Sequence, residues 1–305
     1  MYDIIIIGSG PAGLSASIYA KRAGFNAITI EKNYMSGGQI LDTFEVDNYP
    51  GLKGINGFDM GMKFREHADA LGCAFKVATV LSVSRNDDIF VVETDEEKLE
   101  ARAVIAAMGA NNAKLSAPGE AEFTGRGVSY CATCDGAFFM GKTTVVVGGG
   151  DVAAEDAIFL ARGCEKVYLI HRRDELRAAD ILQKELKSLE NVEIIWDTVV
   201  EKIEGTDQVE RLVLKNRKSG EAGELSVDGV FIAVGIIPNS GILKGVTQLD
   251  DKGYVIAGED CASATPGLFA AGDIRAKKLR QVVTAVADGA NAVNSVQEYF
   301  LRKNV

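Results

Sequence analysis

A buried strand, a glycine-rich turn and an alanine-rich helix occur twice in this chain, about 140 residues apart. A second apolar strand follows each helix. In order, the two copies are strand 3–7, turn Gly8-Ser-Gly-Pro-Ala-Gly13, helix 14–22 and strand 27–30, then strand 143–147, turn Gly148-Gly-Gly-Asp-Val-Ala153, helix 154–162 and strand 167–170. The repeat predicts two βαβ units of the nucleotide-binding type, built on parallel strands.

The remaining segments complete two domains, which is the number that 305 residues favour. Residues 75–109 and 192–234 predict β-hairpins with a closing strand, and 267–302 a strand and an alanine-rich helix. The predicted fold class is α/β, with two Rossmann-like, three-layer ββα domains, the second inserted into the first. The predicted domains are 1–113 with 242–305, and 114–241, joined by linkers near 112–118 and 238–245.

Charge and hydropathy exclude several classes of partner. The net charge is −10 and no block of basic residues occurs, so nucleic acid is not expected as a partner. No apolar run approaches the 18 residues of a membrane span. The chain starts directly with an apolar strand rather than a basic leader, so we expect a cytoplasmic protein without membrane contact.

The first glycine turn has the spacing of a nucleotide site. Gly8 permits the tight turn, Gly10 lets a pyrophosphate approach the backbone, and Gly13 lets the helix pack on the strand. Pro11 and Ala12 lie within the turn, and the N-terminus of the helix that follows presents free N–H groups that attract phosphate. Glu31 ends the second strand, where a carboxylate binds ribose hydroxyls. The alternative is a tight turn in an unrelated α/β domain.

The second turn is followed by basic residues where the first is followed by an acid. Gly148, Gly150 and Ala153 give the alanine variant of the motif, with Asp151 inside it. The residues that follow the second strand are basic: Arg172, Arg173 and, further on, Arg177. Arginines bind a 2′-phosphate that an acidic residue would repel, so NADPH is expected over NADH. The alternative is a solvated basic helix start. His171 either contacts the nucleotide or caps the strand.

Cys131 and Cys134 are separated by two residues. Such a pair can close a disulfide and exchange it with another. Half of a zinc site is the alternative, but zinc needs four ligands and the chain has no second pair and no histidine cluster. Asp135 follows directly and can move the proton that thiol chemistry requires, or it can cap the next turn.

A further acid lies at the end of a predicted C-terminal strand. Gly272-Asp273 follows the apolar segment 268–271. A carboxylate at this position can hydrogen-bond the ribityl hydroxyls of a flavin. It can also serve as an ordinary helix N-cap, and the two roles are compatible.

Together the motifs resemble the low-molecular-weight thioredoxin reductases over essentially the whole chain. The motifs that carry the resemblance are Gly8–Gly13, Gly37-Gly38-Gln39, Cys131-Ala-Thr-Cys-Asp-Gly136, Gly148–Asp151, His171-Arg-Arg-Asp-Glu-Leu-Arg177, Gly272-Asp-Ile-Arg275 and Arg280-Gln281. The resemblance implies a homodimer with FAD in the first domain and NADPH in the second. It implies FAD contacts from Glu31, Gly38, Gln39, Asn48, Gly272, Asp273, Arg280 and Gln281.

The resemblance also implies a route for electrons, from NADPH through FAD and the Cys131–Cys134 pair to thioredoxin or a thioredoxin-like protein. Cys134 is then nearer the flavin, Cys131 attacks the partner disulfide, and Asp135 is the acid. The inserted domain is expected to rotate on its linkers to present dithiol and NADPH in turn. Three alternatives stay open: a ferredoxin-fed reductase, a dithiol oxidase, and a non-catalytic FAD or NADP sensor.

Overall fold

The computed structural model describes residues 1–43, 45–46 and 48–303, with only the backbone of Asp42. It divides into unit 1, Met1–Asn111 with Ile237–Val305, and unit 2, Asn112–Ile236, so the second is inserted into the first. The predicted boundaries, 113/114 and 241/242, lie two and five residues later than those of the two units. The second boundary lies earlier because Asn239 already bonds to unit 1, its backbone N–H donating to the carbonyl of Gly109 at 3.0 Å.

Unit 1 is built on a largely parallel sheet with helices on one side. Its elements are β1 (Tyr2–Ile7), α1 (Pro11–Arg22), β2 (Ala27–Glu31), α2 (Gly57–Ala70), β3 (Ala74–Val77), β4 (Val80–Asn86), β5 (Ile89–Thr94), β6 (Lys98–Ala106), β7 (Ala110–Asn112), β17 (Leu268–Ala270) and α6 (Val282–Lys303). The strand order is β3-β2-β1-β6-β5-β4, and β17 also pairs with β6.

The apolar run of β1 explains its central place in the sheet. Its four isoleucines alternate between the two faces, and each is almost fully buried. Ile4 and Ile6 pack with the alanines of α1 and with α6, whereas Ile5 and Ile7 pack with β4 and β5. Small residues on α1 and α6 let the two helices lie close together over the sheet. Both faces of the strand are thus covered.

Unit 2 repeats the plan with a separate antiparallel layer. Its elements are β8 (Val128–Ser129), α3 (Ala132–Asp135), β9 (Thr143–Gly148), α4 (Asp151–Ala161), β10 (Lys166–Ile170), α5 (Asp180–Ser188), β11 (Val192–Ile195), β12 (Thr198–Gly205), β13 (Val209–Asn216), β14 (Ala222–Ser226) and β15 (Gly229–Ala233). A short strand, β16 (Ile236–Pro238), then pairs with β7.

The layers of unit 2 are held by two apolar clusters. The parallel sheet has the order β11-β10-β9-β15-β8, and β12-β13-β14 form the antiparallel sheet. One face of β9, through Val146, packs with α4 and α5. The other face, through Val145 and Val147, packs with β12 and β13. Two Rossmann-like units of three layers, one inserted into the other, confirm the predicted fold class.

The predicted hairpins are correct only in part. Strands β4, β5 and β6, and likewise β12, β13 and β14, are antiparallel. The first strand of each predicted hairpin region is not: β3 pairs parallel to β2, and β11 pairs parallel to β10. Each follows a helix, α2 or α5, and such a crossover returns the chain in the same direction.

Across residues 1–43, 45–46 and 48–303, none of the helices combines the length and the apolar character that crossing a bilayer demands.

Candidate active site

The first glycine turn is closed by backbone contacts that leave no room for side chains. Gly8 has a φ of 100°, which favours glycine. A Cβ added to Gly13 would lie 1.9 Å from the carbonyl oxygen of Gly8, so the start of α1 packs directly on the turn. These two glycines therefore shape the turn, in the manner that the motif predicts.

Gly10 faces open space instead. It is the N-cap of α1, no side chain caps the helix there, and Pro11 is the first helical residue. A Cβ on Gly10 would have nothing nearer than 3.9 Å. The free backbone N–H groups at this helix start, including that of Ala12, carry the positive end of the helix dipole and suit a phosphate.

Glu31 and the Gly38 turn lie beside the first glycine turn. Glu31 Oε2 accepts hydrogen bonds from the backbone N–H and the hydroxyl of Ser9, at 2.8 and 2.9 Å. Gly38 approaches Gly10 so closely that an added Cβ would lie 3.2 Å from the Gly10 Cα. Gln39 follows and is exposed. The structure thus brings the predicted ribose acceptor and the Gly38 turn next to the first glycine turn.

Hydrogen bonds join Asn48 to Gln281 and Arg280 to Asp273, four of the residues predicted to contact FAD. Asn48 Nδ2 donates to Gln281 Oε1 at 2.9 Å, and Arg280 Nε donates to the backbone oxygen of Asp273 at 3.5 Å. Oδ1 of Asp273 is buried and has no hydrogen-bond partner among the described residues, and its nearest cation is Lys277 at 3.7 Å. Burial raises the pKa of this carboxyl. Gly272, before it, has a φ of 82°.

The segment that holds Asp273 is anchored by an acid that the sequence analysis did not single out. Asp288 on α6 is buried, and its carboxylate accepts from the Gly272 N–H at 2.9 Å, from Arg275 at 2.8 Å and from Lys277 at 3.0 Å. Burial raises its pKa, but the two cations outweigh burial and hold the pKa below its usual range. In the sequence, Asp288 is a single acid on the otherwise apolar, alanine-rich face of α6, and that pattern could have indicated a buried ion pair.

Unit 1 fits the FAD that the resemblance implies. The open helix start above Gly10 accommodates a pyrophosphate, and Glu31 lies where a ribose acceptor is needed. The unpartnered Oδ1 of Asp273 requires donors, which the ribityl hydroxyls of a flavin supply.

The contrast between Gly10 and Gly13 gives a testable difference. We expect Gly13→Ala to destabilise unit 1 by about 3 kcal/mol, because its methyl group would collide with backbone. Gly10→Ala should leave the unfolding temperature of the apoprotein unchanged, since its methyl group would lie 3.9 Å from the nearest atoms beyond its chain neighbours, which is ordinary van der Waals contact. That methyl group would occupy the phosphate space, so FAD affinity should fall by roughly tenfold or more, a loss of about 1.4 kcal/mol. Thermal unfolding and flavin titration measure the two effects, and unchanged FAD affinity in Gly10→Ala would contradict the assignment.

The second glycine turn packs against His171. The Nδ1 atom of His171 lies 2.8 Å from the carbonyl oxygen of Gly148. A Cβ on Gly149 would lie 2.1 Å from the imidazole ring. Burial lowers the pKa of the imidazole, and its backbone hydrogen bonds oppose that shift. His171 therefore supports the turn, whereas a Cβ on Gly150, the N-cap of α4, would meet nothing within 4 Å. Behind the turn, Ala153 is buried against Gly148.

The three predicted arginines lie exposed beside this turn. The backbone N–H of Arg177 donates to the carbonyl oxygen of Gly149 at 2.7 Å, which fixes the arginine loop to the turn. Asp151 supports the same loop, since its carboxylate accepts from the Ala179 N–H at 2.8 Å. In unit 2, which is described throughout, neither Arg172, Arg173 nor Arg177 is paired with a carboxylate. Three unpaired guanidinium groups and an open helix start fit NADPH with its 2′-phosphate.

Cys131 and Cys134 are joined as a disulfide, with their Cα atoms 5.3 Å apart. Cys131 is the N-cap of the short helix α3, and its carbonyl oxygen accepts from the N–H groups of Cys134 and Asp135 at 3.2 and 3.1 Å. Asp135 Oδ2 accepts from the Ser129 hydroxyl at 2.6 Å. Burial raises the pKa of Asp135, and this hydrogen bond lowers it. A disulfide and a partly buried acid thus share one turn.

Comparison with known proteins agrees with this geometry. The model of the pyridine nucleotide-disulphide oxidoreductase family matches residues 2–289. The thioredoxin reductases of Bacillus subtilis and Listeria monocytogenes are each 43% identical in sequence to this chain. The alignments cover 98% of this chain and 95% and 94% of the two relatives. The chain belongs to the thioredoxin reductases within this family. The crystal structure of thioredoxin reductase from Streptococcus pyogenes, 42% identical, matches with a TM-score of 0.94 over 99% of both chains.

Family membership establishes the kind of enzyme and its cofactors. Thioredoxin reductases of this family bind FAD and use NADPH, and this chain is a flavoprotein oxidoreductase of that kind. The match spans nearly the full length of the relatives, so both units belong to it.

Proposed function

We propose that this chain reduces the disulfide of thioredoxin or a thioredoxin-like protein with electrons from NADPH. Unit 1 holds FAD, unit 2 holds NADPH, and the Cys131–Cys134 pair passes the electrons on. The observation that carries the proposal is the disulfide itself, which shares one turn with the acid Asp135. A sensor of FAD or NADP would need neither.

Each unit has its own set of side chains to bind one nucleotide, FAD in unit 1 and NADPH in unit 2. In unit 1, Glu31 bonds to Ser9 of the first turn and Arg280 bonds to the backbone of Asp273, and these residues would contact FAD together with the Asn48–Gln281 pair. In unit 2, Arg172, Arg173 and Arg177 would bind the 2′-phosphate. When bound, the two cofactors supply two-electron transfer from the pyridine nucleotide to the flavin and on to sulfur. The protein contributes binding and orientation.

Thiol–disulfide exchange then accounts for the remaining chemistry of the chain. Once the pair is reduced, the thiolate of Cys131 attacks one sulfur of the partner disulfide, and the other partner sulfur leaves as a thiolate. Cys134 next attacks Cys131 Sγ, which reforms the internal disulfide and releases the second partner sulfur. The partner gains two electrons, and Asp135 supplies a proton to a leaving thiolate.

The homodimer and the cytoplasmic location that the resemblance implies belong to the same proposal. Sedimentation of the purified holoprotein measures the first, and fractionation of cells measures the second. A monomeric holoprotein with full activity would remove the dimer from the proposal without affecting the electron route.

The electron donor is tested by anaerobic reduction of the purified yellow protein. We expect NADPH to bleach the flavin band and oxidised thioredoxin to restore it, because the three arginines of unit 2 are available for the 2′-phosphate. NADH at the same concentration is the matched control. No bleaching by NADPH, together with bleaching by reduced ferredoxin, would favour the ferredoxin-fed alternative.

A further inference from the structure

Ser129, the last residue of β8, makes hydrogen bonds to both Asp135 and Cys131 in the turn that carries the disulfide. Ser129 is 5% exposed, and its hydroxyl group lies between the acid and the first cysteine. It donates to Asp135 Oδ2 at 2.6 Å, and it accepts from the backbone N–H of Cys131 at 3.1 Å. One buried hydroxyl group thus fixes the carboxyl and the backbone that carries the attacking sulfur.

We propose that Ser129 is a positioning residue for the acid of this reaction. It orients Asp135 so that the proton is held at Oδ1, and it ties that carboxyl to the backbone of Cys131. The proposal rests on the proposed function, in which Asp135 protonates a leaving thiolate.

The hydrogen bonds decide which oxygen carries the proton. Oδ2 already accepts the hydrogen of the Ser129 hydroxyl group, and the serine oxygen in turn accepts from the backbone N–H of Cys131. Oδ1 makes no hydrogen bond within unit 2, where every residue is described. A proton at Oδ1 therefore leaves the Ser129 contact intact, whereas a proton at Oδ2 would compete with the serine hydrogen for the same oxygen.

While Cys131 and Cys134 are joined as the disulfide, Ser129 is the one side chain that shifts the pKa of Asp135. Burial raises that pKa and the serine hydrogen bond lowers it, since the bond favours the charged form. Helix α4 packs against α3 and carries Asp151, Glu155 and Asp156, but none of these shifts it. Strand β15, which pairs with β8, carries no titratable side chain.

The test is the pH dependence of thioredoxin reduction by the holoenzyme at saturating NADPH. The rate should fall as the pH rises through the pKa of Asp135, because the reaction uses its protonated form. In Ser129→Ala the carboxylate loses its donor, so its pKa rises and the fall in rate should move to higher pH by about one unit. Asp135→Asn should lose this pH limb, and Ser129→Ala in that background should add no further change.

Matched variants separate positioning from stability. The side chains introduced by Ser129→Thr and Ser129→Val have the same shape, but only threonine keeps the hydroxyl group. Only Ser129→Val should therefore shift the pH profile. Thr124→Ala removes a comparable hydroxyl hydrogen bond, 2.8 Å to the Glu120 carbonyl oxygen, and should leave the profile unchanged. Equal profiles for threonine and valine, or a limb that survives in Asp135→Asn, would overturn the proposal. Loss of activity in Cys131→Ser in the same assay would show that the proposed function still stands.

Discussion

Replacing Cys131 by serine is expected to abolish thioredoxin reduction while leaving the reduction of FAD by NADPH intact. A hydroxyl group does not replace a thiolate as the nucleophile in disulfide exchange, and loss of a covalent nucleophile costs on the order of 10³-fold or more. The residues proposed to bind NADPH do not include Cys131. Anaerobic stopped-flow spectra measure the first half of the reaction, and steady-state reduction of thioredoxin measures the second.

Cys73→Ser is the control for this substitution. Cys73 is a free, partly exposed thiol of unit 1, and its sulfur lies 3.4 Å from the Ser17 carbonyl oxygen, a contact that a serine hydroxyl can also make. The variant should retain both halves of the reaction. Full turnover in Cys131→Ser would refute the role of the disulfide.

Replacing the arginines of unit 2 by glutamine should remove the preference for NADPH. Arg172, Arg173 and Arg177 are exposed and unpaired with any carboxylate of unit 2, so the 2′-phosphate has no competitor for them. A hydrogen bond between charged groups contributes about 1.5–3 kcal/mol, so each substitution should raise KM for NADPH roughly tenfold or more. The KM for NADH, which lacks the phosphate, should stay constant.

Arg162→Gln is the matched control for the arginine series. This exposed arginine is the C-cap of α4, at the opposite end of the helix from the second glycine turn. Its loss should change neither KM. Equal increases for NADPH and NADH in the three site variants would indicate a general loss of nucleotide binding, and would contradict recognition of the 2′-phosphate.

Local patterns predicted the parts of the fold that depend on local physics. The strand, turn and helix around Gly8 and Gly148 lie where the repeat places them, because each glycine role is set within a few residues. The helices start three residues earlier than predicted, at Pro11 and Asp151. Proline fits the first helical position, and an acid such as Asp151 is favourable in the first turn. Strands β3 and β11 run parallel to their neighbours because a helix precedes each of them. The alternating pattern of a hairpin does not predict strand direction.

The contacts that complete the site join residues far apart in sequence. Asn48 and Gln281 are separated by 233 positions, and each is an ordinary polar residue in its own segment. Asp288 reaches Arg275 and Lys277 only because α6 packs beside β17. Ser129 is only six residues from Asp135, but it contacts the acid because the turn after β8 reverses the chain, and no sequence motif marks that contact. Periodicity and motif spacing carry no information on such pairings.

The insertion also orders events during synthesis. Unit 2 is complete once residue 236 has been made, whereas unit 1 still lacks β17 and α6 at that moment. Helix α1 packs its alanines against α6, including Ala292, so that apolar face stays uncovered until the last helix emerges from the ribosome. Synthesis of the chain from residue 237 onward thus completes the unit whose N-terminal part was made first, and chaperones can bind the uncovered surface in the interval.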